Sequence, residues 1–367
     1  MKEAFKKLIR YHKIKAWYEK YERFLLPATL LVGVLVDFFT FTNIDIVTSL
    51  IILAVYVTVV GGAILFMNAY DAKPFGGRVF QYLRLAIMLI IQFLFGALLS
   101  GVFVFYFFSG TIFVSWPFIV ILIGLMISNE LFRRYYTQPV VQVSMYFFVL
   151  FSFVSVSASF ILNSLSPWVF AGAGVASLAI IFLYVFLLTR LSSHVKRLWK
   201  QISISILSIF SVINGFYFLN IIPPIPLSLR EVTLAHDLVR NNSGYTLQVE
   251  PESWFDQIMP GQIFHKQANE KVFLYTSIFA PGDLSTTIVH HWQKYDEVKQ
   301  EWVSHNRLSF LVSGGRKEGF RGYSVKSNVP AGSWRVDVET ERGQVLGRVG
   351  FEVVNVVEVP ELENIQK

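Results

Sequence analysis

The sequence predicts a membrane protein in two parts: an all-α bundle of seven transmembrane helices, followed by an all-β antiparallel sandwich (Ig-like) in an extracytoplasmic domain. Three observations predict it. Seven long apolar segments almost free of charge lie between residues 24 and 222. The Lys and Arg residues between those segments fall in alternate connections. From Arg230 onward, short alternating patterns with Gly and Pro turns replace helical spacing.

The apolar segments have the length that a membrane requires. A bilayer core is about 30 Å thick and needs about 20 apolar residues per helix. Residues 85–129 and 135–189 contain no Asp, Glu, Lys or Arg, and each run has a polar break near its middle, at 109–111 and at 163–167. Each run therefore predicts a helical hairpin. The predicted spans are 24–43, 46–67, 85–108, 112–129, 140–162, 168–189 and 202–222.

The cations of the helical half predict its orientation. Seventeen Lys and Arg residues lie in residues 1–23 and in the connections 68–84, 130–139 and 190–201, and none lies in the other three connections. Short loops rich in Lys and Arg face the cytoplasm. We therefore expect a cytoplasmic N-terminus and, after an odd number of spans, an external C-terminal domain. The expected location is the bacterial cytoplasmic (inner) membrane.

The basic N-terminal segment, residues 1–23, has two interpretations. Its apolar residues recur at helical spacing between cations, which predicts a basic amphipathic helix on anionic lipid at the cytoplasmic face. Alternatively, it is a flank that only sets the topology. In both cases the net charge of +7 reflects cations that face lipid, and no nucleic-acid partner is expected.

Few polar side chains lie within the predicted spans. The notable ones are Gln92, Gln142 and Asn214. Intramembrane amides commonly hold helices together through hydrogen bonds. A transporter of a small or lipidic substrate would instead need these three side chains to converge on one cavity. No inverted repeat with matching broken helices is apparent in the sequence, so the pattern favours packing.

The external part divides at residue 270. Prolines at 223, 224 and 226 end the last helix, and 223–270 is expected to be a junction and irregular segment with a short helix over 231–240. Residues 271–367 predict the sandwich, with a hairpin of strands over 334–339 and 345–354. Trp334, Val336 and Val338 are the inward positions of its first strand. The chain has no cysteine, which excludes disulfides and thiol catalysis.

The C-terminal residues resemble a known family. The matching stretches are 271–280, Ile288-Val289-His290-His291-Trp292, Gly314-Gly315-Arg316, Arg321-Gly322-Tyr323-Ser324, Pro330–Val338 and Gly343–Gly347. Over about 85 residues the chain is similar to the bacterial domain-of-unknown-function family 2914, as the C-terminal module of a multi-pass membrane protein. The resemblance implies an extracytoplasmic β-rich module. It implies no activity and no catalytic residue.

Candidate sites point to binding and away from catalysis. His290 and His291 are neighbours on a strand, so they face opposite sides and cannot share a metal ion. The sequence has no HExxH spacing, no nucleophile elbow and no complete phosphate loop, so we expect no metal, no cofactor and no enzyme. The predicted binding face combines arginines and aromatics, as interfaces often do: Trp292, Arg316, Arg321, Tyr323 and Arg335. The alternative is that Trp292 belongs to the core.

The expected function is display of a binding module on the membrane. The module would serve as a scaffold or sensor for an envelope protein or glycan. Transport, with the β domain as an outer cap, is the alternative. An envelope enzyme ranks third, because it would need a His and a carboxylate within hydrogen-bond reach in an external cleft.

Overall fold

The computed structural model describes the helical region only in part and most of the β region. The described residues are 35, 37, 39, 46–72, 78–131, 138–241, 244–251, 262–280, 284–314, 319–358 and 361–367. The predicted amphipathic segment 1–23 lies outside the described residues. So does the predicted span 24–43, apart from three helical positions.

Seven helices follow one another through the described part of residues 46–218. They are α1 (Ile46–Ala72), α2 (Arg78–Ser109), α3 (Ile112–Leu131), α4 (Pro139–Ile161), α5 (Pro167–Leu191), α6 (Ser193–Arg197) and α7 (Trp199–Phe218). Five of these helices contain a segment long and apolar enough to cross a membrane: 46–72, 86–107, 139–161, 167–191 and 199–218. A shorter apolar segment, 114–129, lies in α3. The prediction of a helical membrane region is confirmed in this coarser form.

The chain forms two compact units. The first comprises Met1–Val104, Val120–Val154 and Ala173–Val212. The second comprises Phe105–Ile119, Ser155–Gly172 and Ile213–Lys367, so it includes ends of several helices as well as the β region.

Eleven strands make up the described β region. They are β1 (Ser228–Ala235), β2 (Asp237–Asn241), β3 (Gly244–Val249), β4 (Gln262–Lys266), β5 (Val272–Phe279), β6 (Ser285–Asp296), β7 (Glu301–Ser313), β8 (Phe320–Lys326), β9 (Gly332–Thr340), β10 (Val345–Asn355) and β11 (Glu363–Gln366). They form three sheets in the orders β1-β5-β8, β4-β10-β9-β6-β7 and β11-β3-β2.

Two local predictions are wrong. Residues 231–240, predicted as a short helix, are extended and belong to β1 and β2. The local sequence favours a helix, but the pairing of Val232 and Leu234 with β5 outweighs that preference. The sheets are also not wholly antiparallel, since β4 runs parallel to β10 at the edge of the five-stranded sheet. The β-rich character of the C-terminal region is confirmed.

Apolar side chains from the β1-β5-β8 sheet and the five-stranded sheet share two core clusters. The first includes Leu274, Trp292, Trp334, Val336 and Phe351. The second includes Ile278, Ile288, Val312, Val338 and Leu346. The predicted inward positions of the 334–339 strand are confirmed, because Trp334, Val336 and Val338 are fully buried.

The β9–β10 turn packs on the end of α7 within the second unit. The Arg342 guanidinium lies 4.6 Å from the centre of the Tyr217 ring. Asn220 Nδ2 donates to the Arg342 carbonyl oxygen at 3.0 Å, and Gln344 Nε2 donates to the Ile222 carbonyl oxygen at 3.3 Å. These contacts place the β9–β10 end of the five-stranded sheet beside the C-terminal end of α7, and the end where β9 begins and β10 ends is the opposite one.

Candidate functional site

The face of the five-stranded sheet opposite the core carries a network of polar side chains. Register places His291 opposite Asp337, and Gln293 opposite Arg335, on β6 and β9. Since side chains alternate along a strand, these residues point away from Trp292 and Trp334. We call this surface the polar sheet face, and it comprises His291, Gln293, Trp302, Ser304, Arg307, Arg335, Asp337, Glu339 and Arg348.

Arg335 is held at the centre of one half of this face. Its guanidinium lies 4.5 Å from the centre of the Trp302 ring. Its Nε and Nη2 donate to Gln293 Oε1 at 3.1 and 2.8 Å, and Gln293 Nε2 donates to Asp337 Oδ2 at 3.1 Å. Burial lowers the pKa of the Arg335 guanidinium. The stacked arginine and indole are therefore held in place by contacts within the protein.

Two ion pairs neutralise the carboxylates beneath this surface. Arg348 binds Asp337 in a bidentate manner, with nitrogen–oxygen distances of 2.5 and 2.8 Å. The hydrogen bond to Asp337 raises the pKa of Arg348. Arg307 Nη2 lies 2.7 Å from Glu339 Oε1. Both carboxylates are buried, and burial raises the pKa of Glu339.

His291, on β6, contacts residues of both neighbouring strands, β7 and β9, at the exposed edge of the network. Its Nε2 lies 2.8 Å from Ser304 Oγ, and its Nδ1 lies 3.4 Å from Glu339 Oε1. Partial burial, followed by the charge of Arg307, lowers the pKa of His291. The ring is therefore a neutral partner for hydrogen bonds near neutral pH.

The predicted binding residues do not form one surface. Trp292 is fully buried in the core, where its Nε1 donates to Ser324 Oγ at 3.2 Å, so the predicted surface position of this residue is corrected. Arg321 and Tyr323 lie on β8 in another sheet. Arg335 belongs to the polar sheet face. Arg316 lies outside the described residues, and a binding role for these side chains stays a prediction.

His290, the neighbour of His291, belongs to the core. Its Nδ1 lies 2.8 Å from Ser324 Oγ, and its Nε2 lies 3.1 Å from Thr276 Oγ1. Burial lowers the pKa of His290 to about 3. The expectation that the two histidines face opposite sides of the strand fits this placement.

A second polar cluster was not apparent from the sequence. His236 Nδ1 lies 2.6 Å from Glu270 Oε1, and its Nε2 lies 3.1 Å from Glu250 Oε1. The other oxygen of Glu250 lies 2.7 Å from His265 Nδ1. The three hydrogen-bonded pairs are 34, 14 and 15 positions apart in the sequence, and no motif spacing links the four residues.

This cluster and the rest of the described chain hold no metal centre. Among the described residues, no group of three or more His, Asp or Glu side chains is arranged to hold a metal ion. In the cluster the histidine ring nitrogens and the glutamate oxygens are hydrogen-bonded to one another. The His236 ring also stacks on Phe264, with 4.3 Å between the ring centres. The arrangement is that of a hydrogen-bonded support for β4.

Four amide side chains on the apolar helices of the first unit form two separate pairs. Asn68 Nδ2 donates to Gln142 Oε1 at 3.2 Å, joining α1 to α4. Gln92 Nε2 donates to the Asn129 carbonyl oxygen at 3.3 Å, and Asn129 Nδ2 donates to the Gln92 carbonyl oxygen at 3.1 Å. Asn214 belongs to the second unit. Both observed pairs have the geometry of contacts between helices.

Comparison with known proteins supports the family resemblance. Residues 285–353, in the C-terminal region, match the family described as protein of unknown function (DUF2914). The match covers β6 to β9 and β10 as far as Val353, and it therefore includes all nine residues of the polar sheet face. No curated protein matches the chain.

The solved structures show only distant likeness. One is a β-glucosidase from Listeria innocua in complex with gluconolactone, with 12% identity, 34% of this chain and 16% of that chain covered, and a TM-score of 0.19. Another is an alkylpurine DNA glycosylase from Pseudomonas fluorescens bound to DNA, with 8% identity, 82% and 99% covered, and a TM-score of 0.22. The chain thus spans less than a fifth of the β-glucosidase, and neither likeness carries an argument about fold or function.

Proposed function

We propose that the chain displays an extracytoplasmic, Ig-like sandwich on a seven-span anchor in the bacterial cytoplasmic membrane. The module is a scaffold or sensor that binds an envelope protein or glycan. The polar sheet face is the observation that carries this proposal. It combines a half-buried arginine stacked on an indole with amides and paired charges, and interfaces are enriched in arginine and aromatic residues.

The polar sheet face is suited to binding because its side chains are already held in single conformations. Gln293 and Asp337 fix Arg335 from below, and Arg348 fixes Asp337. A ligand therefore meets side chains whose conformational entropy has already been lost, which favours affinity. Trp302 offers the ring on which either a sugar or a peptide side chain can pack.

The orientation rests on the distribution of cations. Short loops rich in Lys and Arg mark the cytoplasmic side, and the β region follows the last span. Anionic lipid is the proposed partner of the basic cytoplasmic segments. The contact of Arg342 with Tyr217 supports a sensor role, because it joins the sheet to the last helix within one unit.

Transport and catalysis rank lower. Gln92 and Gln142 are each paired with a different neighbour, which favours helix packing over a shared substrate path. His265 and Glu250 come within hydrogen-bond reach, as an acid–base pair would. Glu250 is, however, already shared with His236 in the cluster that supports β4. We therefore propose a binding protein and not an enzyme.

Photo-crosslinking in the native membrane tests the proposal. A photoreactive amino acid replaces Ser304 or Arg307, both exposed on the polar sheet face. We expect a discrete protein or glycan adduct from each position. Buried Val336 and exposed Lys271, which lies off the face, are the control positions. An adduct pattern identical to that of Lys271 would refute a role for this face.

The orientation is tested separately. The chain has no cysteine, so a single cysteine introduced at position 271 is the only thiol. We expect a membrane-impermeant maleimide to label it in intact spheroplasts. Labelling only after lysis would place the β region in the cytoplasm and remove the basis for an envelope partner.

A further inference from the structure

An open cavity of about 400 Å³ lies at the end of the five-stranded sheet opposite the β9–β10 turn. Its walls come from the chain after β4, from the segment between β8 and β9, and from the end of β10. Lys266, Asn269, Ser327, Asn328 and Asn355 supply its polar groups, and Val329 is among its apolar residues. A volume of this size accommodates a small ligand of one or two sugar rings.

Lys266 makes this cavity more than a surface depression. The residue is only 5% exposed, although it lines the cavity. Its ammonium donates to the Gln267 carbonyl oxygen at 3.1 Å. Within the described part of the chain, no carboxylate lies within ion-pair distance of it. A buried cation without a counter-ion is costly, so an anion that enters the cavity gains a charge-assisted hydrogen bond.

The walls around Lys266 are fixed by hydrogen bonds between groups of the protein itself. Val356 N donates to the Lys266 carbonyl oxygen at 3.0 Å, and Gln267 Nε2 donates to the Val357 carbonyl oxygen at 3.1 Å. On the other side, Trp334 Nε1 donates to the Pro330 carbonyl oxygen at 2.8 Å. The cavity is therefore held open by the sheet itself.

The chemistry of the walls selects one class of ligand. A single ammonium matches a single negative charge, whereas phosphate groups are commonly held by several cations or backbone donors. Three asparagines and a serine at the rim can each donate and accept hydrogen bonds, as hydroxyl groups require. Half-buried Val356 and exposed Val357 supply an apolar surface against which the face of a sugar ring can pack.

We infer that this cavity binds a carboxylate-bearing saccharide unit, with the carboxylate on Lys266 and the hydroxyls on the asparagine rim. The site is distinct from the polar sheet face. The inference rests on the proposed function in one respect: acidic glycans of the envelope can reach this cavity only if the β region is extracytoplasmic.

Calorimetric titration of the full-length protein in nanodiscs tests the inference. The probe is D-glucuronate, with D-glucose and acetate as ligands that lack one of the two features. We expect millimolar or tighter binding of glucuronate and at least about tenfold weaker binding of glucose and of acetate. Equal binding of glucose would overturn the role of the carboxylate, and equal binding of acetate would overturn the role of the sugar.

Two matched variants locate the binding. Lys266→Met keeps an unbranched side chain only one atom shorter and removes the charge, and it should weaken glucuronate binding about tenfold or more. Lys271→Met removes an exposed cation outside the cavity and should leave binding unchanged. Equal loss in both variants, or none in either, would refute the site. Nanodiscs expose both sides of the membrane, so this result does not depend on orientation, and a substitution of Arg335 should leave it unchanged.

Discussion

The two faces of strand β9 are both largely inaccessible to solvent, but for different reasons. On the inner face, Trp334, Val336 and Val338 are covered by the apolar side chains of the opposite sheet. On the outer face, Asp337 and Glu339 are each 4% exposed and are paired with arginines. The inner face gains stability from apolar burial, whereas the outer face offsets the cost of burying charge by pairing it.

The difference teaches that burial alone does not identify the structural face of a sheet. Polar networks held by ion pairs and hydrogen bonds give a surface a defined shape, but they contribute less to stability than a core of the same area. A face of this kind is suited to recognition. The predictions that follow compare the two faces, beginning with the largest effect.

Removal of the central indole of the inner face should have the largest effect. Trp334→Ala leaves a cavity between the two sheets and should lower the free energy of unfolding by about 3–5 kcal/mol. Trp302→Ala, on the outer face, removes a partly exposed ring and should cost about 1 kcal/mol or less. Amide hydrogen exchange of β9 and β10 in the full-length protein measures both. Equal losses would show that the two faces contribute alike.

Breaking the ion pair of the outer face should have the next largest effect. Arg348→Ala leaves the Asp337 carboxylate buried without its bidentate partner and should cost about 3 kcal/mol. The Arg307 side chain is 48% exposed, so Arg307→Ala should cost less than Arg348→Ala, although it also leaves a buried carboxylate, Glu339, without its arginine. Thermal unfolding of the two variants in the same detergent compares them.

The double variant Asp337→Leu, Arg348→Met separates pairing from packing. If pairing only offsets the cost of buried charge, this apolar replacement should recover most of the stability that Arg348→Ala loses. A double variant as unstable as the single one would show that the ion pair itself holds the sheet together.

The sequence predicted the inner face correctly and the outer face incompletely. Alternation along 334–338 identified the buried side chains, because apolar residues at every second position have one physical explanation. It could not reveal that Asp337 meets Arg348, since that contact depends on the register between β9 and β10. The same limit applies to His236, between β1 and β2, and to Glu270, between β4 and β5, because only the packing of these two connections brings them together.

The helical region shows a similar division. The length of the apolar runs predicted segments within α1 to α5 and α7, because a membrane imposes that length on any sequence.

The extended conformation of 228–241 was missed, since local propensity favoured a helix and pairing with β5 and β3 outweighs it. The binding residues proposed from composition were scattered for the same reason. Arginine and aromatic content identifies a kind of surface but not which strand faces share it.

The two adjacent histidines on opposite faces should differ in their effect on pH-dependent stability. The pKa of His290 is lowered from its ordinary 6.5 to about 3 by burial, so the unfolded chain binds a proton first as the pH falls. The stability contributed by the neutral ring is complete above pH 6.5 and is lost progressively from about 6.5 down to about 3. At pH 5 the loss should be about 2 kcal/mol.

Substitution of each histidine isolates this effect. His290→Gln keeps hydrogen-bonding groups but cannot titrate, so its unfolding free energy should fall less between pH 7 and pH 5 than that of the wild type. His291→Gln, on the outer face, should change the pH dependence less, because this ring is much less buried. Hydrogen exchange of β6 at the two pH values measures the difference. Identical pH profiles for wild type and His290→Gln would contradict the assignment.

Truncation of the central arginine of the outer face should have the smallest effect on stability and a large effect on binding. Arg335→Ala removes a half-buried side chain whose hydrogen-bond partner, Gln293, still reaches Asp337, so we expect a loss of less than about 1 kcal/mol. If the face is built for recognition, the same variant should abolish the photo-adducts formed from position 304. A variant that loses stability but keeps its adducts would reverse the comparison, because Arg335 would then serve the fold, and recognition would have to reside elsewhere in the β region.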